Sequence, residues 1–195
     1  VKKYDLNDDE LIFLFVGRIV PEKGIKHLLE ALLDFPKNVK YKLFIVGSFG
    51  SSFGKKETYD KFRKEIFNLI EKIKDNIVFT GFISNKELPS YHALSDIVFM
   101  PSIYSEPAGM VAIEALASGR PVITTDAGGI PEYVNNNCAI IVPRSENFVI
   151  NLKNEILSLS VDKLRRNQMG LIGIETAKQY SPQTYYNNFY KVLYG

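Results

Sequence analysis

Cysteine is nearly absent from this chain of 195 residues: Cys138 stands alone, which excludes an internal disulfide and any multi-cysteine zinc site. Histidine is almost as scarce, with only His27 and His92, too few for a histidine-rich metal site. A charge excess is missing too. Lys and Arg number 24 against 22 Asp and Glu, a net +2, too even for bulk charge to point to nucleic acid. Long apolar runs are also lacking: Leu11–Val16 and Ile97–Met100 fall far short of the roughly 20 residues a membrane span needs. The opening Val1-Lys2-Lys3-Tyr4 runs into Asp5, Asp8, Asp9 and Glu10, which is not the pattern of a signal peptide. What remains is ordinary for a globular protein, 46% hydrophobic and 24% charged. A chain of this length buries roughly 70% of its unfolded surface without staples. A disordered tail, a coiled coil, a collagen-like rod and a disulfide-built miniprotein are excluded. The expected location is the cytoplasm, or the inner face of a membrane as a peripheral protein. The residues before the first strand are expected to be a linker leaving an upstream domain.

Short apolar runs alternate with longer amphipathic stretches. Strands are expected at 11–16, 43–46, 77–79, 97–100, 121–124 and 139–142, the first two closed by Gly17 and Gly47. Between them, Ile25, Leu28, Leu29, Leu32 and Leu33 form one helical stripe, and Tyr59, Phe62, Ile66, Leu69, Ile70 and Ile73 another. Further helices are expected at about 86–95, 107–118, 129–134 and from 146 onward. Ser181 is the expected N-cap and Pro182 the first residue of the last helix. Strands apolar on both faces, alternating with helices, predict an α/β domain over residues 1–195. It is a doubly wound, Rossmann-like parallel sheet of about six strands, with C-terminal helices over about 146–195. In such sheets ligands sit beyond the carboxyl ends of the strands, so the loops after Val16, Val46, Phe79 and Met100 should frame a site.

The residues in those loops narrow the ligand. The first loop, Gly17 to Gly24, lacks the G-x-G-x-x-G fingerprint, which argues against an NAD or FAD enzyme. Gly50-Ser51-Ser52-Phe53-Gly54-Lys55-Lys56 approximates a phosphate-binding loop but has three residues between its glycines instead of four. It also carries Lys56 where Ser or Thr belongs, and reads as a flexible glycine-rich loop. Arg18 and Lys23 flank a turn at a helix start, an arrangement that suits a diphosphate. They read equally well as two solvated surface charges. Pro107 is expected at the first position of a helix, Glu106 just outside it, and Gly109 leaves its first turn open. Glu114 lies in an apolar run where an enclosed carboxylate needs a partner, either a ligand or a structural ion pair, unless it sits on a narrow exposed stripe. Glu106 and Glu114 are separated by about 12 Å at most along a helix. That roughly spans a ribose, a diphosphate and an attached sugar. Two carboxylates for hydroxyls, with a helix N-terminus for the phosphates between them, suit a nucleotide-sugar.

At these residues the chain resembles glycosyltransferase family 4, and specifically the C-terminal, donor-binding half of the GT-B fold. The resemblance is carried by Phe15–Arg18 through Lys23-Gly24, by Val78–Phe82, and most strongly by Glu106-Pro107 through Glu114, an E-x7-E element. It continues through Ala117–Val122 and Gly128–Glu132. The family implies that Gly17, Arg18 and Lys23 meet the diphosphate. Glu106 and the backbone of Pro107, Ala108, Gly109 and Met110 would face the donor sugar, Val111 the phosphates, and Glu114 the ribose. Gly81, Phe82 and Ile83 would lie against the base. Glu106, Arg18 and Lys23 are the implied catalytic residues. The implied reaction transfers a hexose from a UDP- or GDP-sugar, with retention, to a glycan or lipid-linked acceptor, and needs neither metal nor further cofactor. The spacing is most similar to bacterial polysaccharide-synthesis enzymes. Ala108 departs from the pattern, since an aromatic commonly precedes the glycine, and the sugar pocket is expected to be reshaped. The family's N-terminal acceptor domain is not in this sequence, so the isolated chain is expected to bind nucleotide weakly and transfer nothing.

Other residues read more plainly. His27 and His92 are expected at the surface, and Cys138 is expected as a core-edge thiol rather than a nucleophile. Tyr185, Tyr186, Phe189, Tyr190 and Tyr194 are expected to pack, partly against the partner domain, rather than to stack bases. The rival readings are a nucleotide-sugar-binding module without chemistry and a sugar-nucleotide epimerase-like domain.

Overall fold

A computed structural model describes Tyr4, residues 6–50 and residues 56–194, with the side chain of Lys56 excepted. The near-phosphate loop at 50–56 therefore lies almost wholly outside the described residues. Six strands form one sheet: β1 (Leu11–Val16), β2 (Tyr41–Val46), β3 (Ile77–Gly81), β4 (Ile97–Met100), β5 (Val122–Thr125) and β6 (Ala139–Val142). Their order is β3-β2-β1-β4-β5-β6 and every pairing is parallel, with Phe13 opposite both Leu43 and Ile97. This is the expected doubly wound sheet, and the order reverses between β1 and β4.

The alternation of side chains along β1 divides the core. Phe13 and Phe15 point to one layer, packed with α1 (Ile25–Leu32), α2 (Lys56–Lys72) and α6 (Phe148–Val161). Ile12 and Leu14 point to the other, with α3 (Leu88–Leu94), α4 (Met110–Ala117), α5 (Ile130–Tyr133) and part of α7 (Lys163–Lys178). The stripe read for α1 is the buried one, and Ile25, Leu28 and Leu29 are wholly enclosed. Arg166 is a buried cation on α7. Its guanidinium donates to the carbonyls of Leu159 and Ser160, satisfying the end of α6. In α8 (Pro182–Tyr194), Pro182 is the first residue and the Ser181 hydroxyl accepts from the Thr184 N–H at 3.1 Å, as the capping pattern predicts.

Four expectations need correction. Residues 107–109 are not helical, and α4 begins at Met110. Glu106 forms a parallel bridge to Gly128, and its carbonyl accepts from the Gly129 N–H at 2.9 Å, so that carbonyl is taken by another loop and cannot start a helix. β5 starts at Val122, because Pro121 has no N–H to give to a ladder. Neither histidine is a surface residue. His92 is 1% exposed beneath α4, and the half-buried His27 has its ring 5.4 Å from that of Phe148. The aromatic side chains of α8 stack on one another and are all exposed on this chain. Cys138 is buried at the head of β6, as a core-edge thiol should be.

One glycine couples the fold to its loops. Gly24 ends the β1–α1 loop with φ +69°, and a Cβ there would come within 1.8 Å of the Pro101 carbonyl oxygen, which follows β4. Gly24→Ala should therefore cost about 2–4 kcal/mol. A fall in the urea midpoint without a change in slope is the expected reading; an unchanged midpoint would show that the two loops do not need this approach.

Candidate functional site

The site is built at the carboxyl ends of β1 and β4, where the sheet's order reverses. After β1 the chain runs beside the extension of β2, with the Ile19 N–H donating to the Ser48 carbonyl at 2.9 Å. It then makes a single 3-10 turn, Pro21–Lys23, before α1. After β4, residues 101–109 fold over this turn. The N–H groups of Ile103 and Tyr104 both donate to the Glu22 carbonyl, at 3.0 and 3.3 Å. From the other side β5 holds the same segment. The Thr124 hydroxyl donates to the Met100 carbonyl at 2.9 Å and the Thr125 hydroxyl to the Ser102 carbonyl at 2.6 Å.

These constraints deliver Glu106 into a nearly closed position, 9% exposed. Its Oε1 lies 2.6 Å from the Lys23 ammonium and accepts from the Ser102 hydroxyl at 2.7 Å. A carboxylate this buried is stable only with such partners. Gly128 lets the β5–α5 loop press against it from behind, since a Cβ at Gly128 would fall 2.5 Å from the Glu106 carbonyl oxygen. Beyond Glu106, Pro107 and Ala108 are exposed, Gly109 is buried and Met110 is exposed. The N-cap of α4 is Gly109, which has no side chain to cap it, so the first N–H groups of the helix receive no bond from their own N-cap residue. The arrangement is a cation, a carboxylate and a helix start converging on one crevice, which can hold an anion beside hydroxyl groups.

Next to this cluster lies a cleft of about 220 Å³, lined by Val16, Gly17, Arg18, Val46, Gly47, Ser48, Phe82, Ile83, Asn85 and Leu88. The loops after β1, β2 and β3 thus frame one space, and those after β1 and β4 frame the polar cluster. Arg18 is exposed at the cleft and Phe82 is 79% exposed. Gly81 turns the chain towards Phe82 with φ +70°.

Glu114 takes the exposed-stripe alternative rather than the enclosed one. Its side chain is 42% exposed rather than enclosed by the apolar run, because Ala112, Ala115 and Leu116 take the buried face of α4. Its Oε2 stands 3.6 Å from Nε2 of His92. The helical rise of about 12 Å between Glu106 and Glu114 does not apply, since only residues from Met110 onward are helical. Ser102, Thr125, Ser48, Asn85, Leu88 and His92 belong to this neighbourhood without having been given a role from sequence. Ser102 could have been found, as it sits four residues before Glu106; His92 could not, because its burial depends on α4. Among the described residues no group of three or more His, Cys, Asp or Glu side chains could hold a metal ion, and no helix is long and apolar enough to cross a membrane.

Arg144, just after β6, ties the rim together. Its guanidinium meets the Asp126 carboxylate at 2.8 Å and donates to the Ile103 carbonyl at 3.0 Å. That bond holds the Asp126 carboxyl below the usual range.

The sequence model of the family described as glycosyl transferases, group 1, matches residues 1–175, and the chain belongs to that family. It is 30% identical over 164 residues to the lipopolysaccharide 1,2-N-acetylglucosaminetransferase of Salmonella typhimurium, covering 80% of this chain and 42% of that protein. Among solved structures, sucrose-phosphate synthase from Thermosynechococcus elongatus superposes with a TM-score of 0.79 at 28% identity, over 99% of this chain and 48% of that one. The C-terminal domain of a glycosyl transferase group 1 protein, LpcC from Francisella tularensis, superposes with a TM-score of 0.71 at 26% identity. There the match covers 87% of this chain and 85% of the other. The chain spans between 31% and 44% of the length of the first curated relatives it matches.

The Asp126–Arg144 bond has a pH signature. A folded-state pKa below the unfolded value stabilises above the unfolded value and is lost as the pH falls through the folded one. With both side chains partly exposed, Asp126→Asn should cost only about 0.5 kcal/mol at neutral pH. The gap between wild type and variant in urea unfolding should close steadily below about pH 4; a gap independent of pH would mean the bond contributes nothing.

Proposed function

We propose that this chain is the donor-binding half of a retaining glycosyltransferase of family 4, acting on a UDP- or GDP-linked hexose. One observation carries the reading. The buried Glu106 carboxylate, held by Lys23 and Ser102, lies at the reversal of the sheet beside the uncapped start of α4. In this reading the diphosphate lies between Arg18, Gly17, Lys23 and the N–H group of Val111, with the Met110 backbone on the sugar side. Arg18 offers two parallel donors and the helix start a field of matching sign. Glu106, with the backbone from Pro107 to Gly109, faces the sugar. Ala108 leaves more room there than the family's usual aromatic.

Glu114 meets the ribose hydroxyls, and Gly81, Phe82 and Ile83 form the floor of the base cleft. As the sugar–phosphate bond breaks, negative charge grows on the diphosphate. The fixed cations and helix start favour that charge without having to reorganise. No step in this scheme needs a metal ion. The acceptor, a glycan or a lipid-linked sugar, belongs to a cleft shared with an N-terminal domain. The relative of Salmonella, a lipopolysaccharide sugar transferase, fits a place in cytoplasmic polysaccharide synthesis at the membrane's inner face. The isolated chain should bind nucleotide weakly and transfer nothing.

Calorimetric titration with UDP, GDP, their sugars and the plain nucleosides tests this. A nucleoside diphosphate should bind, and the nucleoside much more weakly. Arg18→Ala should weaken the diphosphate about tenfold while leaving the nucleoside unchanged. Glu106→Gln should keep diphosphate binding and lose whatever affinity the sugar adds. If no nucleotide binds, or the diphosphate adds nothing, the reading fails. Turnover by the isolated chain would refute its inactivity alone.

A further inference from the structure

Two observations about α3 are unaccounted for by the site as drawn. His92 is 1% exposed, yet neither of its ring nitrogens has a hydrogen-bond partner among the described residues. Buried polar groups are almost always paired, so such an orphan calls for an explanation. His92 also lies one helical turn from Leu88, which lines the cleft, so the two share a face of α3. The Glu114 carboxylate of α4 stands 3.6 Å from Nε2, just beyond hydrogen-bond range, and the Arg120 guanidinium meets the neighbouring Ala93 carbonyl.

We propose that His92 is a positioning residue for Glu114, donating from Nε2 to its carboxylate once a ribose diol engages that carboxylate. The inference rests on the reading of Glu114 as the ribose ligand and extends it. Glu114 is 42% exposed and has three side-chain torsions, so unbound it samples several directions. Accepting two hydroxyls of a ribose requires one direction. A donor fixed in the core behind the carboxylate selects that direction and removes part of the ordering cost on binding. A shift of about half an ångström closes the present gap to a normal bond and pairs one of the buried orphan nitrogens. His92 is fixed for this purpose by its surroundings. Tyr91 beside it is bonded to Tyr4, hydroxyl to hydroxyl at 2.9 Å, and the Ser95 hydroxyl closes the helix onto the His92 carbonyl at 2.8 Å.

The test compares UDP with 2′-deoxy-UDP, and GDP with 2′-deoxy-GDP, by calorimetry on the 195-residue chain and on His92→Phe, His92→Gln and Glu114→Ala. Wild type should prefer the ribonucleotide by about three- to tenfold, the scale of one hydrogen bond. Glu114→Ala and His92→Phe should both bring that preference close to one. His92→Gln, which keeps a donor near the Nε2 position, should restore most of it. The preference is a ratio of two affinities of the same sample, so a partly unfolded variant does not distort it. Loss of affinity for both nucleotides in equal measure in His92→Phe would mean a packing role only, and would overturn the proposal. So would an unchanged preference in His92→Phe while Glu114→Ala abolishes it. An unchanged preference in Glu114→Ala would overturn the reading of Glu114 itself, and the role of His92 with it.

Discussion

A carboxylate nine-tenths enclosed by protein persists only while something of opposite charge faces it, and in this fold that requirement organises the carboxyl edge of the sheet. Glu106 comes from the loop after β4 and Lys23 from the loop after β1, neighbouring strands in the sheet, although the two residues are 83 apart in the chain. Their contact at 2.6 Å is possible only because Gly24 lets the loops touch at Pro101 and because the Glu22 carbonyl receives two N–H groups from the second loop. β5 contributes through Thr125, which holds the Ser102 carbonyl while the Ser102 hydroxyl turns to Glu106. Three adjacent strands are thereby tied at their carboxyl ends by side-chain and loop polar groups, in addition to the ladder hydrogen bonds and apolar packing that hold their middles.

Lys23 has a second consequence for charge. An ammonium has three donors and a carboxylate can take one of them, which leaves two for an anion in the same crevice. Pairing with Glu106 also holds the lysine over the crevice, so that a cation stands there already in place. Arg18 differs: it is exposed at the cleft, with no carboxylate holding it in an ion pair among the described residues. The two cations are thus unequal, one positioned beforehand and one free to close on a ligand, and the planar guanidinium suits the mobile role.

The sheet was legible in the sequence because parallel strands buried on both faces leave unbroken apolar runs, and β1, β4 and β6 fall where those runs lie. The site was legible where it depends on local chain chemistry: a glycine ending a strand, a lysine before a helix, a glutamate after β4. It was not legible where one loop acts on another. The start of α4 shifted by three residues because a carbonyl that a helix could have used is bonded to Gly129, 23 residues downstream. The exposure of Glu114 and the burial of His92 are two sides of one packing choice, the roll of α4 about its axis. The apolar residues around Glu114 do not determine that roll, since nearly every face of the helix is apolar. Arg144 gave no signal, for an arginine after a strand is ordinary until its two partners, Asp126 and Ile103, are known.

A hollow of about 500 Å³ lies at the opposite, amino edge of the sheet among Lys37, Lys40, Lys42, Lys72 and Lys74. Its size and its lysines invite a rival site, but its charges are largely spoken for. Lys74 pairs with Glu71, Lys40 with Asp9, and Lys42 donates to the Asp75 carbonyl at 2.9 Å. The ends of α1 and α2 that border it present carbonyls, which repel an anion and attract the lysines already there. At the carboxyl edge the helices present N–H groups instead. In a parallel sheet joined by helices this asymmetry is unavoidable, because every helix must start where a strand ends. The edge that can hold an anion is therefore set by strand direction before any side chain is chosen, and Arg18 and Lys23 add to a polarity that the topology has already established.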